Sequence, residues 1–334
     1  MTGDLGTVAH YNLLERVGEG GLGEVYRARD TKYGRTVALK LAPPAFVEGQ
    51  RHRRLIDDAR AAAALSHPNI AALFDAGYHD GRPYFAYEFV QGTTLRQLMA
   101  RGPMNSGHAL ELAAQAADAL AEGHARGVVH KDIRPDTILE TAKGSVKVLE
   151  FGLSLWTRGG QTRALAAASP HSVGADALPI LAYMSPEQVL GERLDARTDL
   201  FSIGIVVYEM LTGVNPYLAA GPAMTLDQIV RTAPPPPRTL NAELPKMVDV
   251  VLSRVLVPDR ERRTDSAAKL AAELRRCVGQ LEGHAADSTV ARPRPAERGV
   301  EMLPIEEEAR AGALWWIIGA LLVALVAVVY LWLR

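Results

Sequence analysis

Apolar and polar positions alternate in short runs across residues 11–90. Tyr11 to Val17 predicts an extended segment, and Val25-Tyr26-Arg27-Ala28-Arg29-Asp30 predicts a strand. The turn Lys32-Tyr33-Gly34-Arg35 leads to Val37-Ala38-Leu39-Lys40, which completes a hairpin. Two more strands are expected near Ala71–Tyr78 and Pro83–Phe89, around the Asp80-Gly81 turn. Before them, Gln50 to Leu65 is rich in Ala and Arg and predicts a helix. His67-Pro68-Asn69-Ile70 ends it, because proline disfavours helical geometry in the residue before it. From residue 91 onward the period changes. Thr94–Met99 and Ala109–Gly127 predict helices, the second a long Ala-rich core helix. Asp195 opens a central helix with Thr198-Asp199 at its start, Ile205 to Leu211 continues it, and Gly213 ends it. Pro234 to Pro237 forms a loop at most, and Met247–Val257 and Ser266–Cys277 predict the last helices. Strands followed by helices make an α+β chain.

One further run obeys neither period. Ala313 to Leu333 is apolar on every face and carries no charge. At ~1.5 Å per residue it spans ~30 Å, the hydrocarbon thickness of a bilayer. Trp315 and Trp316 lie near one end, and Tyr330 and Trp332 near the other, as interfacial aromatics do. The expectation is one C-terminal transmembrane helix over 313–333, after a linker over 279–312 without periodicity. Arg294, Arg298 and Arg310 precede the run and Arg334 follows it. The positive-inside bias places the preceding domain in the cytoplasm, held at the cytoplasmic membrane by a C-terminal tail anchor in contact with inner-membrane lipid.

Composition narrows the rest. Hydrophobic residues make up 48% of 334, enough for a sizeable core plus one membrane segment. The formal net charge of −1 gives no reason to expect a nucleic-acid partner. Cys277 is the sole cysteine, so no intrachain disulfide forms, which fits a reducing compartment. The leader, residues 1–10, has no apolar core of signal-peptide length.

The candidate chemistry lies in a few stretches. Gly18-Glu19-Gly20-Gly21-Leu22-Gly23-Glu24-Val25 places three glycines where backbone N–H groups can approach phosphates without a Cβ in the way. A dinucleotide fold shares such glycines, but it needs a helix straight after them, and here a strand is predicted. Lys40 stands in a V-A-x-K run on the second arm of the hairpin. Further on come His130-Lys131-Asp132-Ile133-Arg134-Pro135-Asp136-Thr137 and Glu150-Phe151-Gly152. Ala182-Tyr183-Met184-Ser185-Pro186-Glu187 follows these.

In this order and at these intervals, the stretches resemble the Hanks-type Ser/Thr protein kinases of bacteria, over about residues 11–278. The resemblance implies a two-lobed protein kinase fold, with a β-rich N-lobe over 11–90 and an α-rich C-lobe over 91–278. It implies ATP as cofactor, with Mg or Mn. Gly18, Gly20, Gly23 and Lys40 would hold the phosphates. Val25 and Ala38 above and Leu139 below would sandwich the base. The backbone of Glu88 and Val90 would meet the adenine edge, with Tyr87 at the gatekeeper position. Asp58, with Asp57 as the alternative, stands where the family has a Glu that pairs with the strand lysine. Asp132 would orient the substrate hydroxyl and accept its proton, and Arg134 stands at the place of a lysine that neutralises the γ-phosphate. Asp199 would hold the catalytic-loop backbone, and Arg263 would pair with Glu187. The expected partners are ATP and a protein substrate or membrane-bound protein partner.

Several positions depart from the family pattern. Lys131 replaces an Arg, Thr137 the metal-binding Asn, Glu150 the metal-binding Asp, and Ile180 a Thr. Thr137 and Glu150 are the two expected metal ligands, and a magnesium site tolerates little change in oxygen geometry. Phosphoryl transfer is therefore expected to be impaired, leaving a membrane-anchored pseudokinase or scaffold. The alternative is an active Ser/Thr protein kinase with altered metal preference. A small-molecule kinase is disfavoured by Ser185-Pro186-Glu187 and the long segment before it. Thr157, Thr162, Ser169 and Ser172 in that segment are candidate phosphoacceptors.

Overall fold

The computed structural model describes residues 5–20, 23–42, 50–153, 169 and 174–290. The apolar run 313–333, most of the linker before it, and Thr157, Thr162 and Ser172 lie outside the described residues. Among the described residues no helix is long and apolar enough to cross a membrane.

The first part is a six-stranded antiparallel sheet in the order β1-β2-β3-β4-β6-β5. Its strands are β1 (Thr7–Val8), β2 (Tyr11–Gly20), β3 (Gly23–Asp30), β4 (Arg35–Leu41), β5 (Leu73–His79) and β6 (Arg82–Glu88). The helix α1 (Gln50–Ala63) sits between β4 and β5 in sequence. Inward positions alternate as the pattern predicts. Ala28, Val37, Leu39 and Ala86 are fully buried on one side with Tyr11 and Tyr84. On the other side Leu73, Phe85 and Tyr87 pack with Ala59 and Ala62 of α1.

The second part is helical around a small sheet of β7 (Gly92–Thr94), β8 (Ile138–Thr141) and β9 (Val146–Val148). Its helices are α2 (Leu95–Met99), α3 (Ser106–Ala125), α4 (Leu178–Leu181), α5 (Pro186–Val189), α6 (Ala196–Thr212), α7 (Pro222–Arg231), α8 (Lys246–Val255) and α9 (Ala267–Val290). Thr94 caps α2 in a reciprocal box with Gln97, and Asn105 caps α3. The inner face of α3 is mostly alanine, so α6 approaches it closely, and α6 is buried on nearly all sides. Two of the longer helices differ from expectation, and the one-turn helices α4 and α5 were not expected. The helix α7 was not legible in its short mixed sequence, and α9 runs to Val290 although Gly279 and Gly283 weaken its pattern.

One buried ion pair ties the end of the long segment to this helical core, as the family resemblance implies. Arg263 grips Glu187 with two hydrogen bonds, of 2.9 and 3.1 Å, and both side chains are almost fully buried. Its remaining N–H groups donate to the carbonyls of Val257, Arg197 and Pro258. All five guanidinium donors are thereby satisfied. Thr198 donates to the same carboxylate at 2.8 Å. Burial alone would raise the Glu187 pKa, but Arg263 outweighs it and holds the carboxyl below its usual range.

Arg263→Ala strands a buried carboxylate, so it is expected to cost about 3–5 kcal/mol of stability at neutral pH. A carboxyl lowered on folding contributes stability that is present above its unfolded pKa of ~4.3 and lost as pH falls through the folded value. The wild type loses that contribution in acid, while protonation relieves the stranded Glu187 of the variant. The gap between the two is therefore widest near neutral pH and narrows through the carboxylate range. Thermal melts of the full chain in detergent at a series of pH values check this. A gap that widens in acid would contradict it.

Candidate active site

The cleft is built from adjacent strands of the first sheet and from two loops of the helical part. β2 and β3 form a hairpin whose tip holds Gly18, Gly20 and Gly23, with Gly20 opposite Gly23. Gly23 has φ +116°, and a Cβ there would lie 2.3 Å from the Leu41 carbonyl oxygen. Only glycine lets the hairpin tip lie this close to β4. Val25 pairs with Lys40, and Ala38 pairs with Tyr87, so register alone brings these four residues together. Val25 and Ala38 are half-buried and Leu139, on β8, is buried. Glu88 ends β6; its N–H donates to the Ala72 carbonyl and its carboxylate pairs with Lys147 at 2.8 Å. Val90 follows, half-buried.

Lys40 is buried and forms an ion pair with Glu150. Its ammonium also lies 5.2 Å from the centre of the Tyr87 ring, within cation–π range. Tyr87 is buried, and its hydroxyl has no hydrogen-bond partner among the described residues. Burial, and then the charge of Glu150, push the phenol pKa well up, so the ring stays neutral. Asp58 is half-buried on α1, and Asp57 is exposed beside it. Burying Lys40 needs a close counter-charge, and Glu150 supplies one.

The loop that contains Asp132 hangs from a buried carboxylate at the start of α6. Asp199 accepts the backbone N–H of His130 at 2.8 Å and that of Lys131 at 2.7 Å. The ring of His124, near the end of α3, donates to it at 2.7 Å. Burial alone would raise the Asp199 pKa, but the hydrogen bond and charge of His124 and the backbone donors outweigh it and keep it low. Lys131 has φ +67°, a left-handed geometry that costs a non-glycine residue about 1–2 kcal/mol. Asp199 holds its N–H, and the Gln188 amide donates to its carbonyl at 2.9 Å.

His130 joins this loop to the next one. Its Nδ1 accepts the Asp132 backbone N–H at 3.1 Å and its Nε2 faces the Leu149 carbonyl at 2.9 Å. A backbone N–H donates and a carbonyl accepts, so the ring is neutral with its proton on Nε2. The Phe151 ring packs edge-on against His130 with centroids 5.0 Å apart. Gly123 makes room for it, since a Cβ there would lie 2.2 Å from the Phe151 ring. Glu150 has φ +61°, and this turn aims its carboxylate at Lys40.

Asp132 is buried and receives Arg134 Nε at 3.2 Å. The Arg134 guanidinium also pairs with Asp136 at 2.7 Å. The buried Thr137 hydroxyl lies 2.9 Å from the Asp132 carbonyl and 3.0 Å from the Arg134 carbonyl, and accepts the Arg134 N–H at 3.2 Å. A hydroxyl has one proton, so Thr137 is committed to shaping this turn. The Thr137 carbonyl accepts the Leu149 N–H at 2.9 Å, which binds the two loops together. Ile180 is half-buried on α4.

Glu150 is engaged by Lys40 and Thr137 by the backbone. No group of three or more His, Cys, Asp or Glu side chains among the described residues converges on a metal-sized site. Both expected metal-ligand side chains are thus engaged within the protein. His124, Asp136 and Lys147 were not singled out from the sequence. The signal for His124 was its place near the end of the helix that leads into the loop.

Comparison with known proteins agrees with this geometry. The family described as protein kinase domain matches residues 11–273. The serine/threonine-protein kinase PknB of Mycobacterium leprae is 36% identical over 275 residues, which cover 79% of this chain and 42% of that protein. PknB of Mycobacterium tuberculosis is 38% identical over 277 residues, covering 79% of this chain and 42% of that protein. The crystal structure of the Mycobacterium tuberculosis PknI kinase domain superposes with a TM-score of 0.64 at 25% identity, covering 84% of this chain and 100% of that one. The chain spans 42% to 48% of the length of the PknB proteins it matches. With the glycine hairpin, the buried strand lysine and the suspended Asp132 loop in one cleft, the chain belongs to the protein kinase domain family, among the bacterial Ser/Thr protein kinases.

Proposed function

We propose that this kinase domain binds adenine nucleotide with phosphoryl transfer impaired, and acts through contacts with a protein partner at the membrane. The observation that carries the reading is the state of Thr137. Its hydroxyl is engaged by the Asp132 carbonyl and the Arg134 backbone. Catalysis of phosphoryl transfer rests almost entirely on positioning and electrostatics, so loss of one ligand position is costly. The hairpin glycines and the wall of Val25, Ala38 and Leu139 favour retained nucleotide binding, with the Glu88 and Val90 backbone at the adenine edge. Asp58 remains a candidate second carboxylate for Lys40 when α1 moves inward. Anchoring rests on the uncharged run 313–333 and the arginines before it. A tether of this kind raises the effective concentration of the domain toward membrane-bound partners.

A second reading has its own support. Lys40 and Asp132 are retained, Glu150 keeps a carboxylate, and Phe151 is packed against His130 beneath the cleft. This is consistent with an active Ser/Thr protein kinase of altered metal preference, in which Asp132 orients the acceptor hydroxyl.

Intact mass of the full chain in detergent, incubated with ATP and either magnesium or manganese, separates the two. The chain is first treated with phosphatase and is compared with Asp132→Asn. The expected result is no phosphate gain that depends on Asp132. A gain by the wild type alone would establish the second reading. Thr137→Asn combined with Glu150→Asp is expected to raise magnesium-dependent incorporation at least ~10²-fold, the penalty typical of ångström-scale misplacement. An amide supplies an N–H for the Asp132 carbonyl and keeps an oxygen for the metal. A double variant as inactive as the wild type would place the impairment elsewhere.

A further inference from the structure

Arg134 stands beside the Asp132 carboxylate and is held on two sides. Its Nε lies 3.2 Å from Asp132 Oδ1 and its Nη1 lies 2.7 Å from Asp136 Oδ2. The side chain is only 14% exposed. The turn makes this clamp. Pro135 and Thr137 bound a single 3-10 turn, closed by the Thr137 N–H on the Arg134 carbonyl at 3.0 Å. That curl brings the side chain two residues after Arg134 back onto it. Burial would lower the Arg134 pKa, but Asp132, Asp136 and Glu150 together raise it, so three carboxylates act on this one cation.

Asp136 is itself held from outside the loop. Arg96 of α2 reaches its Oδ2 at 3.4 Å. The same guanidinium bonds the Tyr183 hydroxyl at 2.9 Å and lies 3.5 Å from Glu209 of α6. Tyr183 in turn donates to Glu209. The orientation of Asp136 is thus tied to α2, to the end of the long segment and to the core helix.

We propose that Asp136 is a positioning residue that holds the Arg134 guanidinium against the catalytic loop and withholds it from the terminal phosphate of a bound nucleotide. This rests on the reading that the cleft binds adenine nucleotide. To reach a third phosphate, Arg134 has to give up its shortest ion pair, so one charge-assisted contact replaces another and little is gained. The wild type therefore binds ATP and ADP alike. Asparagine at 136 keeps the shape but removes the competing charge, and Arg134 becomes available to the phosphate. Glutamate at 136 keeps the charge and preserves the restraint.

The experiment is calorimetric titration of the full chain in detergent with ATP and with ADP, in EDTA. Wild type, Asp136→Asn, Asp136→Glu and the double variant Asp136→Asn with Arg134→Gln are compared. The ratio of ADP to ATP dissociation constants is expected within about twofold of unity in the wild type and in Asp136→Glu. It is expected to rise about tenfold in Asp136→Asn, the scale of one charge-assisted hydrogen bond, and to fall back in the double variant. An unchanged ratio in Asp136→Asn, or a rise that persists without Arg134, overturns the proposal. Failure of every variant to bind either nucleotide overturns it together with the nucleotide-binding reading. Phosphate transfer by the wild type in the mass assay overturns the impaired-transfer reading alone, and the ratio still decides the role of Asp136.

Discussion

The buried carboxylate of Asp199 is the constraint on which the cleft depends. It receives two consecutive backbone N–H groups, from His130 and Lys131, and an imidazole N–H from His124. Consecutive amides converge on one acceptor only if the backbone between them bends sharply, and the left-handed Lys131 provides the bend. That bend sets where Asp132 stands. His130 then fixes the Leu149 carbonyl, and Thr137 fixes the Leu149 N–H. The position of Glu150, one residue later, follows from both. A single charge at the start of a core helix thus organises two loops.

The cleft settles its own charge internally. Lys40 is neutralised by Glu150, Arg134 by Asp132 and Asp136, and Lys147 by Glu88. Each pair satisfies a cation that would be expensive to bury alone. An entering polyphosphate would meet cations that already have carboxylate partners.

Most of the fold was legible because it rests on local signals. Period-2 alternation fixed the sheet, and Asp195 and Gly213 marked the ends of α6 close to where they fall. The pairing of Arg263 with Glu187 was legible from the family pattern, and the geometry bears it out. What escaped depended on side-chain direction, which spacing does not carry. The Thr137 identity signalled a changed ligand, but not that its hydroxyl turns to the backbone of its own turn. His124 reads as one more residue of an Ala-rich helix until the helix is placed beside α6. Asp136 looks like a solvated turn acid until the 3-10 curl and Arg96 bring it onto Arg134.

The neutral ring of His130 carries a consequence for the loop above it. The Asp132 backbone N–H is received by a lone pair on Nδ1, while the other nitrogen gives its proton to the Leu149 carbonyl. An imidazolium has donors on both nitrogens, so only the neutral tautomer with its proton on Nε2 fits both partners. The ring is fully buried, with Phe151 against it. A tautomer, not a charge, thereby joins the two loops, through a side chain that is itself fully buried.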